Sequence, residues 1–347
     1  MKIAVVNTCV PFIRGGAEHL GSALNAKLRE YGHESTLVRI PFQWRPSEKT
    51  IESLLACKLL DFTGVERLIA LKFPVYHIPH PDKVVWLLHQ FRQAYDLWGT
   101  PMQDIPDTAE GHRIRDVIIR SDNECLSAIR RIYTISPVVS ERLRKFNQIE
   151  SQVLYHPLLE SNHLRFVETG NYFFFPSRIT QGKRQHLAVE AMAHVRSGVR
   201  LVLAGEPETP GDGDLLARRI EQLGIGDRVT LSAGFITEQE KAALFGSALG
   251  CIYTPYDEDS YGYVTLEAYH CRKPVITCTD SGGTSLLVKD NETGLVVPPD
   301  PKELAAAMDR LYANRSLAVD MGNAGHDRML TLGITWDRVI ECLTSPA

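Results

Sequence analysis

LGCIYTPYDEDSYGYVTLEAYHCRKPVITCT (249–279) is the stretch that settles the architecture. It opens with the apolar run LGCIYT (249–254) and closes with a second, PVITCT (274–279). Between them lie an acidic turn with one glycine and a helix-period segment over 264–271. Two short, continuously apolar runs joined through a helix describe a parallel β-α-β crossover. Strands buried on both faces lose the polar alternation of a half-exposed sheet.

The same unit repeats outwards in both directions. YFFFPS (172–177), VRLVLAG (199–205) and RVTLSAG (228–234) are strand candidates, with helices over 183–196, 212–223 and 237–247. GLVVP (294–298) adds a short strand before two or three terminal helices. Towards the N-terminus, IAVVNT (3–8) leads through a glycine-bearing loop into a helix from about Ala17 to Tyr31, closed by Gly32. STLVRI (35–40), VVWLL (84–88) and RIYTIS (131–136) follow as strands, the last leading through Pro137 into the helix VVSERLRKF. Residues 41–83 and 96–112, rich in Pro and aromatics, read as irregular. The expected fold is therefore α/β, two doubly wound parallel-sheet domains over 1–165 and 166–329. A C-terminal helix over about 330–347, with Trp336, either closes the second domain or crosses back onto the first.

Bulk properties narrow the function. The 347 residues are 44% hydrophobic and 23% charged with a net charge of −4, which speaks against a basic nucleic-acid binder. No apolar run approaches the roughly 18–20 residues that span a bilayer, and the N-terminus lacks a cleavable signal pattern. The seven cysteines, Cys9, Cys57, Cys125, Cys251, Cys271, Cys278 and Cys342, include no C-x-x-C pair. They read as reduced, buried thiols of a cytoplasmic protein, not as a zinc site or a disulfide framework.

Three segments could carry chemistry. Gly15-Gly16, directly before the first helix, lets backbone amides approach an anion at a helix N-terminus, or else forms a plain turn. The dinucleotide fingerprint G-x-G-x-x-G is absent from that loop. Arg178 and Lys183, five residues apart on the loop after a strand, could converge on one diphosphate, or be a solvated pair. In the third segment, Asp257-Glu258-Asp259 precedes a turn at Gly262 and a helix. Asp259 would sit at the helix mouth, the amides near Gly262 to Val264 would face outward, and Glu267 would lie one turn inside. Such an arrangement suits a sugar, a phosphate and a ribose in that order.

With these motifs in place the sequence resembles family 4 of the glycosyltransferases, which adopts the GT-B fold. The resemblance rests on GGAE (15–18), SRITQGKRQHL (177–187), DSYGYVTLEA (259–268), KPVITCTDSGGTSLLV (273–288) and ETGLVVPPDPKELAAAM (292–308). It is dense over 172–313 and thinner before, where it rests on GGAE, VVWLLHQ with His89, and YTISPVVSERL (133–143). It implies two Rossmann-like domains facing a central cleft that holds a nucleotide-sugar donor. It further implies retaining transfer of a hexosyl unit from a UDP- or GDP-linked donor, with no metal and no cofactor. Arg178 and Lys183 match the pair that neutralises the donor diphosphate. Asp259 matches the acid facing the donor sugar, and His89 the residue near sugar and acceptor. These four are the expected catalytic residues. Gly15, Gly16, Gly262, Tyr263, Val264, Thr265 and Glu267 form the expected donor-binding set, with Glu267 on the ribose. The sequence departs from the pattern at Asp259, where the family has Glu, which leaves a partial role open for Glu258.

Other readings use the same residues. Asp257-Glu258-Asp259 also forms the D-x-D motif of metal-dependent glycosyltransferases, which would leave Arg178 and Lys183 without a task. A sugar-nucleotide epimerase or a non-catalytic nucleotide-sugar binder could share the fold. For the acceptor, a glycan or lipid-linked molecule in surface polysaccharide or lipid-linked glycan synthesis is expected from the resemblance. Residues 112–145 carry eight Arg or Lys against four acids. That excess could meet anionic lipid at the inner membrane face or a polyprenyl diphosphate, or simply be solvated helix faces.

Overall fold

The computed structural model describes residues 1–10 and 15–346. The chain forms two units, Met1–Leu159 with Thr335–Ala347, and Glu160–Ile334.

The first unit is built on β1 (Lys2–Cys9), β2 (Glu34–Pro41), β3 (Arg67–Ala70), β4 (Lys83–Leu87), β5 (Arg131–Thr134) and β6 (Gln152–Val153). All pair in parallel, in the order β2-β1-β3-β4-β5-β6. Ile3 to Val6, Leu68 to Ala70 and Val84 to Leu87 are buried, as expected for strands covered on both faces. Four helices flank them: α1 (Gly16–Glu30), α2 (Glu48–Lys58), α3 (Ala109–Ser127) and α4 (Pro137–Asn147). In α1, Leu20, Ala23, Leu24 and Leu28 make one buried stripe at helical spacing. In α4, Pro137 occupies the first turn and the Ser136 hydroxyl caps the Val139 amide at 3.3 Å.

The segment 41–83, expected to be irregular, holds α2 and β3. The strand is four residues long and begins on a buried arginine, which hides it from a search for apolar runs. Helix α3 was obscured for a related reason. Its buried face carries Ser121 and Asp122 beside Ile114, Ile118 and Leu126, so the apolar stripe is broken. The Asp122 carboxylate is accommodated there by His77 Nε2 at 2.8 Å and the Tyr95 hydroxyl at 2.6 Å.

The second unit comprises β7 (Tyr172–Pro176), β8 (Arg200–Ala204), β9 (Val229–Ser232), β10 (Gly250–Ile252), β11 (Val275–Cys278) and β12 (Gly294–Val297). Their order is β12-β11-β10-β7-β8-β9, again all parallel. The helices are α5 (Gln185–Met192), α6 (Pro210–Gln222), α7 (Glu238–Gly246), α8 (Gly262–His270), α9 (Gly283–Leu287), α10 (Pro301–Ala313) and α11 (Arg315–Thr331). Phe173, Phe174 and Phe175 at its centre are fully buried. No described helix is long and apolar enough to cross a membrane. All seven cysteines are unpaired, and five are buried.

The last helix, Trp336–Thr344, belongs to the first unit. Trp336 Nε1 donates to Leu158 O at 2.7 Å, and the Tyr133 hydroxyl to Cys342 O at 3.2 Å. Arg67 closes the helix end, donating to Leu343 O at 3.0 Å and Ser345 O at 2.9 Å while pairing with Asp82 at 2.8 Å. Positive charge at a helix C-terminus also complements the helix dipole. Replacing Arg67 with Met should lower local stability there by about 2 kcal/mol. Hydrogen exchange at the Val339 to Leu343 amides should then run roughly 30-fold faster.

Candidate functional site in the second unit

The order of the second sheet places a topological switch between β7 and β10. From β7 the chain goes to β8 on one side, and from β10 to β11 on the other. Loops leaving the carboxyl ends of the two strands diverge, and the space outside such a point is where open α/β sheets bind ligands. The loop after β7 carries Arg178 and Lys183, and the loop after β10 carries Asp257 to Tyr261. The sequence motifs of the second half thus meet at one sheet edge.

Backbone bonds tie these loops together. Tyr256 N donates to Gly182 O at 2.9 Å, Asp257 N to Asp280 O at 2.9 Å, and Gly283 N to Glu258 O at 2.8 Å. The loop after β11 packs so closely that a Cβ on Gly282 would lie 2.3 Å from Glu258 O, and one on Gly283 2.5 Å from the Ser260 carbonyl carbon. Arg184 provides the side-chain tie. Its backbone is left-handed at φ 58°, an unfavourable conformation for arginine. The guanidinium donates to Thr254 O at 2.7 Å, Pro255 O at 3.0 Å and both Asp280 oxygens at 2.7 and 2.8 Å.

Lys183 ends a single 3-10 turn, and its amide donates to the hydroxyl of the N-cap Thr180 at 3.2 Å. Its ammonium lies 2.9 Å from the Tyr253 hydroxyl and 2.5 Å from Glu258 Oε2. Burial opposes the charge, but the oxygens of Tyr253 and Glu258 outweigh it and raise the lysine pKa. Burial also pushes the Tyr253 phenol up to about 12, so it stays a neutral donor and acceptor. Arg178 is placed differently: exposed, with its guanidinium 3.6 Å from Glu208. The two cations have separate partners in this structure.

Helix α8 begins at Gly262 with its first-turn amides, which a helix cannot pair internally, at the same edge. Gly262 has φ 71°, and a Cβ there would sit 2.5 Å from the Tyr253 ring. Tyr263 and Val264 follow, half-buried. Thr265 is fully buried and its hydroxyl donates to Tyr261 O at 2.6 Å, so its side chain is used in closing the helix start. Asp259 is half-buried in the loop before the helix. Glu267 is buried, 7% exposed, and its Oε1 accepts from Lys241 Nζ at 2.6 Å. Burial raises the Glu267 carboxyl, while Lys241 pulls against that rise.

Gly15, Gly16 and His89 belong to the first unit. The strand order there switches sides between β1 and β3, and Gly15-Gly16 follow β1 at that switch point. Gly15 is the N-cap of α1, and its amide donates to Glu18 Oε2 at 2.9 Å. Lys72 stands 3.6 Å from the same carboxylate. This helix start therefore carries its own acid. His89 lies two residues past β4, with Nδ1 donating to Gln90 O at 2.6 Å. The basic run 112–145 is locally neutralised at several points. Arg113 pairs with Glu110, Arg131 with Asp82, Arg142 with Asp96 and Arg144 with Glu141. Arg115 Nε donates to Ala94 O at 2.9 Å.

Residues 159–328 match the family model described as glycosyl transferases group 1. Among curated proteins, O-antigen chain mannosyltransferase C of Escherichia coli is 25% identical over 228 residues. That match covers 63% of this chain and 58% of the relative, so the chain spans little more than half of that protein's length. The sucrose-phosphate synthase structure from Thermosynechococcus elongatus superposes with a TM-score of 0.75 at 19% identity, covering 98% of this chain and 96% of that one. The fold is that of the GT-B glycosyltransferases. HepE of Anabaena, solved in complex with UDP and glucose, has the same GT-B fold at a TM-score of 0.72 and 14% identity, with both chains fully covered.

Within the second unit the sequence reading missed Tyr253, Arg184, Asp280, Lys241 and the Gly282-Gly283 approach. Arg184 follows Lys183 directly, yet nothing local marks its left-handed backbone. Lys241 is 26 positions from its partner Glu267, and no spacing rule links them. Gly262 supplies the test of this geometry. Gly262→Ala combines a strained φ with a clash on Tyr253 and should destabilise the second unit by about 1–3 kcal/mol in thermal unfolding.

Proposed function

We propose that the protein is a glycosyltransferase that moves a hexosyl unit from a nucleoside diphosphate sugar to an acceptor hydroxyl. The observation that carries the reading is the juxtaposition of Lys183, the first turn of α8 and two acids, Asp259 and Glu267, at one switch point. The group 1 match over the same residues and the UDP and glucose found with HepE support it. In this reading Lys183 and Arg178 neutralise the donor diphosphate, with the amides of Gly262, Tyr263 and Val264 beside them. Glu267 takes the ribose and Asp259 the sugar hydroxyls. The family resemblance also gives Gly16 and His89 roles toward a donor.

The chemical difficulty is departure of the diphosphate from an oxocarbenium-like centre. Preorganised cations and helix-start amides stabilise the charge that grows on the leaving oxygen. Charge neutralisation then falls to side chains, and the reaction needs no metal. The resemblance supports retention, an α-linked product from an α-linked donor. The front-side route fits best, with the leaving phosphate taking the acceptor proton. The acceptor is a glycan or lipid-linked molecule, met at the cytoplasmic face of a membrane.

Lys183 is engaged by Glu258 at 2.5 Å, and in this reading a diphosphate takes the place of that carboxylate. On the same reading Glu258 competes with the donor for Lys183. Glu258→Gln should tighten binding of free UDP or GDP by about two- to fivefold in calorimetry, the scale of a partly exposed ion pair. Weaker binding would show instead that Glu258 contacts the ligand.

Release of nucleoside diphosphate from UDP- and GDP-linked sugars, with and without acceptors, tests the activity itself. Lys183→Ala should lower turnover roughly 10²–10³-fold. The wild-type rate should survive EDTA with less than about a threefold loss, the span of a minor perturbation. A rate abolished by EDTA and restored by Mn²⁺ would return the D-x-D reading.

A further inference from the structure

Glu267 is a carboxylate inside a helix, buried in a unit where a lone charge would be costly. Its closest cation comes from elsewhere in the chain. Lys241 projects from α7 and places Nζ 2.6 Å from Glu267 Oε1 and 3.0 Å from Glu238 Oε1. The lysine and Glu267 side chains are 17% and 10% exposed, so solvent screens the pair little. An ion pair with no further task is weak evidence for stability, since an apolar pair of like volume serves as well. Here one partner is the acid beside the phosphate-facing helix start.

We infer that Lys241 is a positioning residue for nucleoside recognition, holding the Glu267 carboxylate ionised and aimed so that it accepts hydrogen bonds from ribose hydroxyls. The inference rests on the ribose role proposed above for Glu267. Other groups around Glu267 cannot replace the lysine. Glu238 on α7 repels the charge, and His163, preceding β7, is the smallest of the attractive influences. Cys251 on β10, with Tyr263 and Cys271 at the two ends of α8, are neutral neighbours whose own protons are held by burial. Burial already raises the Glu267 carboxyl, and Lys241 is what opposes the rise. Without that ammonium the acid would protonate from a higher pH downwards. A protonated carboxyl is a poorer acceptor, so ribose recognition would weaken as pH falls and return as it rises.

The test is calorimetry on the full chain with UDP, GDP and their 2′-deoxy counterparts, between about pH 6 and about pH 8.5. The wild type should prefer the ribonucleotide about tenfold or more, the scale of a hydrogen bond to a charged group, with little change across that range. In Lys241→Met the preference should fall below about threefold at the acidic end and recover towards the alkaline end, while Lys241→Arg keeps it flat. If the methionine variant does not fold, Lys241→Gln keeps a hydrogen bond without the charge and should show the same pH-dependent loss. A purely structural ion pair would change the melting temperature but leave the preference and its pH profile untouched. A folded Met or Gln variant that keeps the full preference at every pH overturns the inference. A wild type that binds ribo- and deoxynucleotides equally overturns the ribose role of Glu267 instead, and this inference with it.

Discussion

The parting of the chain between β7 and β10 is the constraint on which the rest of the second unit depends. Parallel strands buried on both faces need helical crossovers, and those crossovers leave the carboxyl-end loops as the one place where polar groups can gather. Where neighbouring strands send their crossovers to opposite sides, the loops part and backbone amides face outwards. Lys183, the acidic loop and the first turn of α8 all lie at that edge because the strand order puts them there. Their positions are then held by short-range ties: the Arg184–Asp280 pair, the backbone bonds from Tyr256 and Asp257, and the close approach of Gly282 and Gly283.

The electrostatics of the edge follow one rule. Each cation there already has an acid: Lys183 has Glu258, Arg184 has Asp280, Lys241 has Glu267 and Arg178 has Glu208. These pairs differ in how far they can open. Arg184 makes four hydrogen bonds and is nearly buried, so it serves the scaffold. Arg178 is exposed and 3.6 Å from its partner, so water already shares its charge and it can turn at little cost. Lys183 lies between these extremes.

Much of this was legible in the residues. Continuous apolar runs separated by helix-period segments announce a parallel sheet, and ten of the twelve strands lie at or near the runs and short apolar segments that suggested them. The exceptions have physical causes. The strand at Arg67–Ala70 starts on a charged residue whose burial depends on Asp82, and Gln152–Val153 is two exposed residues. Helix α3 hides because its inner face holds Asp122, a buried carboxylate satisfied by His77 and Tyr95. Of the candidate site, Lys183, Gly262 and Glu267 could be named from local pattern alone. Tyr253, Arg184, Asp280 and Lys241 could not, since their importance is a matter of which distant side chain they meet.

The sequence by itself determined the fold class, the position of the acidic turn before a helix, and the loop that carries Lys183, because those features are set by periodicity and by neighbours in the chain. Tertiary structure decided everything that depends on strand order. It assigned Trp336–Thr344 to the first unit through Leu158, Arg67 and Tyr133. It turned Thr265 inward, seated Glu258 on Lys183, and brought Lys241 to Glu267. A charge finds its partner through the folded sheet and not along the chain, and the lysine it meets is what marks out Glu258 among the acids of DEDS.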